Sequence, residues 1–161
     1  MAHEGSLIAA LTLAALGAIA PGAPAWAADK VRIANLTDVA FGTVAGGADR
    51  LSSQNVCVFS DSFTQGYSVT ANGSGGAFEL ASGGARLPYE VLWADAVNMS
   101  GGTLLIAGGT TGGFRSSASH QFCNSGPSAS ASLTIALRAS VLNSADAGSY
   151  SATLQITIAP E

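Results

Sequence analysis

The sequence predicts an all-β fold, namely an antiparallel β-sandwich with Greek-key connections. Apolar and polar residues alternate in short blocks, which is the period of a half-buried strand. Glycine-rich turns separate these blocks, and no stretch sustains the periodicity of a helix. Many short strands at this spacing are typical of two packed sheets.

The predicted strands alternate with clusters of Gly, Ser, Asn and Asp, which favour turns. The strands are residues 31–36, 39–44, 54–60, 67–72, 77–81, 89–94, 103–107, 130–138 and 150–158. Glycines in residues 72–76 and 82–84 allow tight reversals. Residues 108–126 are predicted to form a long loop, and residues 139–148 a short helical turn.

The last predicted strand, residues 150–158, has the most regular alternation. Its apolar face contains Tyr150, Leu154, Ile156 and Ile158. We expect an edge strand here, and we predict that these four residues pair with a partner's strand by β-augmentation. Pro160 would end such pairing at Ala159. Tyr150 is either the corner tyrosine of sandwich folds or a residue that simply packs at the end of the sandwich.

The N-terminus is predicted to be a cleaved signal peptide, residues 1–27. Residues 7–20 are almost entirely apolar, and Ala25 and Ala27 form an A-x-A cleavage site. The apolar run is shorter than the roughly 20 residues of a membrane-spanning helix, and an uncleaved anchor is the alternative. The prediction is a single domain, residues 28–161, with no membrane span after cleavage. We expect it in the periplasm, at the cell surface or outside the cell.

The chain contains two cysteines, Cys57 and Cys123. Export would bring them to an oxidising compartment, where such a pair normally closes, so we predict a disulfide between them. Two free buried thiols are the alternative. A metal site built from two cysteines and a distant histidine is less favourable still.

Charge and motifs argue against nucleic-acid binding and catalysis. The net charge of −4 offers no basic surface for nucleic acid. A Ser-His-Asp hydrolase using His120 with Asp61 or Asp95 lacks the G-x-S-x-G turn of such enzymes. The loop aspartates do not form a calcium-binding run. We therefore predict a non-enzymatic protein with no cofactor and no metal site.

The aromatic block around Trp93 allows two interpretations. Alternation places Tyr89, Val91 and Trp93 on one face of a strand, which favours a core tryptophan packed near the disulfide. The alternative is a self-sufficient binding module, with the loops around Trp93 and Phe114 contacting carbohydrate.

Three blocks of sequence, taken together, point to a family. Residues 36–42 read Leu-Thr-Asp-Val-Ala-Phe-Gly, residues 67–73 read Tyr-Ser-Val-Thr-Ala-Asn-Gly, and residues 87–93, which extend the second block, read Leu-Pro-Tyr-Glu-Val-Leu-Trp. The third block, residues 147–158, has a Gly-x-Tyr start followed by strict alternation. In order and spacing, these blocks resemble the spore coat protein U domain and the related archaic chaperone-usher pilins.

The resemblance implies an incomplete immunoglobulin-like sandwich. A periplasmic chaperone would hold the subunit, and an outer-membrane usher would join it to other fibre subunits by donor-strand exchange. Leu154, Ile156 and Ile158 would then line a groove that a neighbour's strand fills. The chain departs from the family in its cysteine positions, and only residues 28–30 precede the first predicted strand. We therefore expect a structural or accessory subunit of an adhesive surface fibre, which accepts a strand but gives none unless residues 31–36 are the donor.

Overall fold

A computed structural model describes residues 29–161, so the predicted signal peptide, residues 1–27, lies outside the described residues. The elements are β1 (Val31–Ala34), β2 (Arg50–Ser60), β3 (Gly66–Gly73), β4 (Glu79–Ser82), β5 (Ala85–Pro88), β6 (Glu90–Ala94), β7 (Thr103–Leu104), β8 (Thr110–Arg115), β9 (Ala131–Leu137), α1 (Ala139–Leu142) and β10 (Leu154–Pro160). Across residues 29–161, no helix has the length and apolar character needed to cross a membrane.

Two antiparallel sheets form a sandwich, which confirms the predicted fold class. One sheet has the order β1-β2-β9-β6-β7, and the other has the order β10-β3-β8. The chain crosses between the sheets from β2 to β3, from β7 to β8, from β8 to β9 and from β9 to β10. Apart from the β1–β2 and β6–β7 pairs, neighbours in these two sheets are therefore not neighbours in sequence. The β4–β5 hairpin is a separate two-stranded sheet, bridged by Ala81 to Ser151 just before β10.

The core lies between the sheets and is centred on Trp93 and Tyr67, both fully buried. The indole Nε1 of Trp93 on β6 donates a hydrogen bond of 3.1 Å to the Tyr67 hydroxyl on β3, which joins the two sheets. Phe114 of β8 packs on Tyr67 with 5.7 Å between ring centroids. Burial raises the pKa of Tyr67 to about 12, against the smaller opposing effect of the Trp93 hydrogen bond.

The sulfurs of Cys57 and Cys123 are bonded, with 5.9 Å between the Cα atoms. They form a small apolar cluster with Ala118, apart from the main core that contains Trp93. Trp93 therefore belongs to the core, as the alternation predicts, but packs with Tyr67 rather than in the cluster around the disulfide.

Several predicted elements differ from those of the structure. Residues 39–44 alternate as a strand would but pair with no strand of the described chain. The predicted loop at residues 108–126 contains β8, whose strand character comes from pairing with β3 rather than from its own composition. The strand β5 was not predicted, because Leu87 is its only buried residue. The last strand begins at Leu154 rather than Tyr150.

Candidate functional site

The outer edge of β10 carries unpaired backbone groups. β10 pairs with β3 on one side only. Ile156 lies opposite Ala71, and the Ala71 C=O accepts a hydrogen bond of 2.9 Å from the Gly108 N–H on the far side of β3. In an antiparallel pair, two directly opposed residues either exchange backbone hydrogen bonds or both direct their N–H and C=O groups away from each other. Ile156 therefore directs its N–H and C=O away from β3.

The same alternation fixes the direction of the other backbone groups along β10. Leu154 and Ile158 are each two residues from Ile156, so their backbone groups also point away from β3, which we call the outward phase. Glu161 is in the opposite, inward phase, and its N–H donates a hydrogen bond of 3.1 Å to the Gly66 C=O. No backbone or side-chain group among residues 29–161 bonds to the outward groups of Leu154, Ile156 and Ile158. The free edge thus offers three N–H donors in a row, each beside a free C=O.

Pro160 fits this strand because of its phase. It lies opposite Tyr67 in the outward phase, so its missing N–H removes no hydrogen bond to β3. The ladder to β3 therefore continues through Pro160, one residue beyond the point where pairing with a partner's strand is expected to end. On the outer edge, Ile158 carries the last N–H of the strand.

A groove of about 1100 Å³ lies beside the N-terminal half of this free edge. One wall is formed by Leu154 and Ile156 of β10, together with the chain leading into it from residue 145. The apolar floor comes from the β4–β5 hairpin, from Tyr89 just after it and from β9 of the five-stranded sheet, with the residues Leu80, Leu87, Tyr89, Leu133, Ile135 and Leu137. The opposite wall is an irregular segment, residues 38–46, which we call the strap.

The apolar residues on either side of the groove are only half-buried. Leu154 and Ile156 lie in the core-facing phase of β10 and contact the main core, yet they remain partly exposed. In the strap, Val39 and Phe41 contact the same core and are also half-buried. Residues in the core-facing phase of a complete sandwich are normally covered by the side chains of the facing sheet. Here the core is open along one seam.

The strap is pinned at both ends and unbonded between them. At its start, the Gln54 side chain accepts from the N–H and the hydroxyl of Thr37, at 2.8 and 2.9 Å, and donates to the Thr37 C=O at 3.0 Å. At its end, the Gly47 N–H donates to Asn143 Oδ1 at 2.7 Å. Between residues 38 and 46, no backbone group has a hydrogen-bond partner within the described part of the chain.

An ionic cluster at Asp49 holds the chain in place just after the strap, where it leads into β2. Asp49 accepts hydrogen bonds from the Ala139 N–H at 2.7 Å and from Arg138 at 2.9 Å, and Arg138 also pairs with Glu90. The Ala139 N–H and, next, the Arg138 guanidinium lower the pKa of Asp49. Glu90 and Asp49 together raise the pKa of Arg138. These side chains are substantially exposed, so the cluster orients the chain more than it stabilises the fold.

The structure brings three of the four residues predicted to pair with a partner strand to the groove. Leu154 and Ile156 line it from β10, whereas Ile158 does not, since β1 approaches the far end of that strand. Tyr150 lines the groove but precedes the strand. Its hydroxyl donates to the Asp146 C=O at 3.0 Å, a bond back to the upstream backbone of the kind a corner tyrosine makes.

The alternative candidate residues do not form sites. Trp93 and Phe114 are buried in the core, so neither can stack on a sugar. His120 is exposed in a loop, where its C=O accepts from the Cys123 N–H. Within residues 29–161, no three His, Cys, Asp or Glu side chains lie close enough together to hold a metal ion.

Two residues that matter for the groove, Gln54 and Thr37, were not singled out from the sequence. Gln54 lies on β2 in the same phase as buried Val56 and Val58, so it is a polar residue at a core-facing position. A polar residue at a core-facing position of a strand is the sequence feature that could have pointed to Gln54. The partner of its amide was not predictable, because Thr37 reaches it only through the folded path of the chain.

Comparisons with known proteins identify the fold. No protein-family model and no curated protein matches the chain. A chain of the solved chaperone–tip adhesin complex of CFA/I fimbriae is similar in structure, with a TM-score of 0.54 and 15% identity over 83% of this chain and 42% of that chain. A chain of the CsuC–CsuE chaperone–tip adhesion subunit pre-assembly complex, from the archaic chaperone-usher Csu pili of Acinetobacter baumannii, aligns with a TM-score of 0.46 and 18% identity, over 81% of this chain and 39% of that chain. The chain thus spans about two fifths of the length of the chains it matches. The likeness to the CFA/I chain shows that this chain shares its fold.

Proposed function

We propose that this chain is a non-enzymatic structural or accessory subunit of a bacterial surface fibre, and that it accepts an extended strand from another protein along β10. The observation that carries the proposal is the coincidence of a free backbone edge with an apolar groove. Leu154 and Ile156 contribute to both, because their backbones point outward while their side chains line the groove.

Strand addition uses both features at once. An extended segment laid along β10 would bond to the outward N–H and C=O groups of Leu154 and Ile156, and alternate side chains would enter the groove. A peptide segment would use the outward backbone groups of Leu154 and Ile156 as well as the groove, whereas a ligand without a backbone would leave that ladder unpaired.

The proposed partners are a periplasmic chaperone, an outer-membrane usher and other subunits of the fibre. Support comes from the fold shared with a chain of the CFA/I chaperone–tip adhesin complex and from the sequence resemblance to archaic pilins. The proposed location is the periplasm, the cell surface or the medium, after removal of residues 1–27. The Cys57–Cys123 disulfide fits an oxidising compartment.

Residue-resolved amide exchange tests the proposal on the chain from residue 28 to 161. The probe is a synthetic peptide of about nine residues, alternating valine and threonine, with a lysine at each end. We expect the peptide to slow exchange at Leu154 and Ile156, whose N–H groups point outward. Exchange at Gln155 and Thr157, which already bond to β3, provides the internal control.

A scrambled peptide of the same composition, with its valines adjacent, controls for unspecific apolar binding. Equal protection by both peptides, or protection that does not follow the alternation along β10, would contradict strand addition. So would a free protein that unfolds cooperatively, resists protease throughout and ignores the peptide, because a complete fold needs no added strand.

A further inference from the structure

We infer that a second site, at the end of the sandwich where β2 leads into β3, binds a neutral sugar ring of a glycan through Asp61, Phe63, Gln65 and Arg115. These residues line a depression of about 630 Å³. No residue of this depression lines the groove, and binding here requires no added strand.

The turn between β2 and β3 is held in place by hydrogen bonds beneath it. The buried hydroxyls of Ser60 and Ser62 both donate to the Gly66 C=O, at 2.8 and 3.1 Å. From the side of β8, the Ser116 N–H donates to the Gln65 C=O at 2.9 Å. The two sides of the depression are therefore joined to each other, and the side chains above them are presented in a preorganised arrangement.

Phe63 lies at the tip of this turn and is fully exposed. Because hydrogen bonds hold the turn, the ring stays in water instead of folding onto the protein. A phenyl face of this kind packs against the apolar C–H face of a sugar ring, since covering both surfaces removes them from water.

The polar side chains of the depression have unused hydrogen-bonding groups. Within residues 29–161, Gln65 and Arg115 make hydrogen bonds only through their backbones, so the amide and the guanidinium are free. Gln65 has φ of +56°, a conformation that glycine would adopt without strain, yet the position carries an amide side chain. Asp61 accepts from the Lys30 N–H through Oδ1, and its Oδ2 has no partner in the described part of the chain.

The combination of charges favours a neutral ligand. Asp61 and Arg115 line the same depression, so an anion would be repelled by the carboxylate and a cation by the guanidinium. An apolar ligand would cover both groups without replacing their hydrogen bonds to water. The hydroxyls of a neutral sugar can donate to the carboxylate and accept from the guanidinium, while its C–H face covers Phe63.

NMR titration of the purified protein tests this site. The probes are the methyl glycosides of glucose, galactose and mannose, and the charged counterparts are methyl glucuronide and methyl glucosaminide. We expect at least one neutral glycoside to bind with a dissociation constant of about 1 mM. It should shift the amide signals of residues 61–65 and should bind more tightly than either charged sugar.

Two variants and two matched controls locate the binding. Phe63→Ala should weaken binding about tenfold and leave urea unfolding unchanged, because the ring is fully exposed. Arg115→Lys keeps the charge but loses the planar fork, and should weaken binding to a similar extent. Ile106→Ala removes another exposed apolar side chain, and Arg50→Lys changes an exposed arginine at the opposite end of β2. Both controls should bind as the wild type does.

No binding of the three neutral glycosides at concentrations far above about 1 mM would overturn the site. Tighter binding of the glucuronide would refute the neutral class of ligand. Equal weakening by Phe63→Ala and Ile106→Ala would show that sugars contact exposed apolar surface without a defined site. The valine–threonine peptide should bind all four variants as tightly as the wild type, so failure of the sugar site would leave strand addition intact.

Discussion

The disulfide allows the sharpest prediction of stability. Cys57 and Cys123 are 66 residues apart, so their bond closes about half of the domain into a loop. For a loop of that length, the entropy removed from the unfolded chain corresponds to about 4 kcal/mol. Domains of this size have free energies of unfolding of about 5–15 kcal/mol. Loss of the bond should therefore remove a large part of the total stability.

Urea unfolding measures this contribution, with tryptophan fluorescence as the signal. Trp93 is the one tryptophan after residue 27, and it is fully buried, so its emission reports the core alone. With m of about 1–3 kcal/mol/M, the double variant Cys57→Ala/Cys123→Ala should lower the urea midpoint by more than about 1 M. The chemically reduced wild type keeps both sulfurs and should lose nearly as much.

That comparison separates the covalent bond from the packing of its atoms. If the double variant loses stability but the reduced wild type does not, the loss belongs to packing around Ala118 and not to the constraint on the unfolded chain. A loss under about 1 kcal/mol in both would refute the chain-entropy reasoning and indicate residual structure between the two cysteines in the unfolded state.

Four further predictions concern the core, the ionic cluster and the groove. Tyr67→Phe leaves the buried Trp93 N–H without its acceptor and should cost about 1–3 kcal/mol in urea unfolding; an equally stable variant would contradict the role of this bond. Burial raises the pKa of Tyr67 to about 12, so its neutral form contributes stability to the folded state. This contribution is present below the ordinary pKa near 10 and is lost as pH rises towards 12. Unfolding measured at increasing pH should show this loss in the wild type but not in Tyr67→Phe. Asp49 has a lowered pKa, so its contribution to the free energy of unfolding is present above the ordinary pKa of 3.8 and is lost as pH falls through the lowered pKa. Urea unfolding at successively lower pH should therefore show a smaller loss of stability for Asp49→Asn than for the wild type. Equal losses in the two proteins would count against this role of Asp49. Ile156→Ala and Ile158→Ala should both destabilise β10, yet titration with the valine–threonine peptide should show weaker binding for Ile156→Ala alone, because Ile158 does not line the groove; equal weakening would refute that assignment.

The sequence predicts best those strands whose own residues carry the apolar alternation. β3 and β6 fall within a residue or so of their predicted bounds, because Tyr67, Val69, Val91 and Trp93 all face the core. β8 was missed because Phe114 is its one buried residue, and its pairing partner is distant in sequence. Local pattern predicts which face of a strand is buried, whereas pairing depends on which neighbour the fold supplies.

Only the β10 side of the candidate site was predictable from the sequence. The alternation of residues 150–158 indicated a strand that could pair with a partner, and the free edge of β10 has that character at Leu154 and Ile156. The strap was predicted as a strand of the chain's own sheet, and no pattern in residues 39–44 distinguishes a strand that has a partner from one that lacks it. Gln54 was not predicted at all, because its hydrogen bonds exist only after β1 leaves the sheet.

The wrong prediction for residues 39–44 and the half-burial of β10 have one physical explanation. Val39, Phe41, Leu154 and Ile156 all occupy core-facing phases and contact the same core, so their exposure does not arise from a misplaced register. It arises because no strand of the described chain lies between the strap and β10. A strand placed there would give both segments backbone partners and would cover their apolar side chains, each Å² of which contributes about 25 cal/mol when removed from water. If the groove accepts a strand, as proposed, the alternation at residues 39–44 is the pattern of a strand whose pairing partner belongs to another molecule.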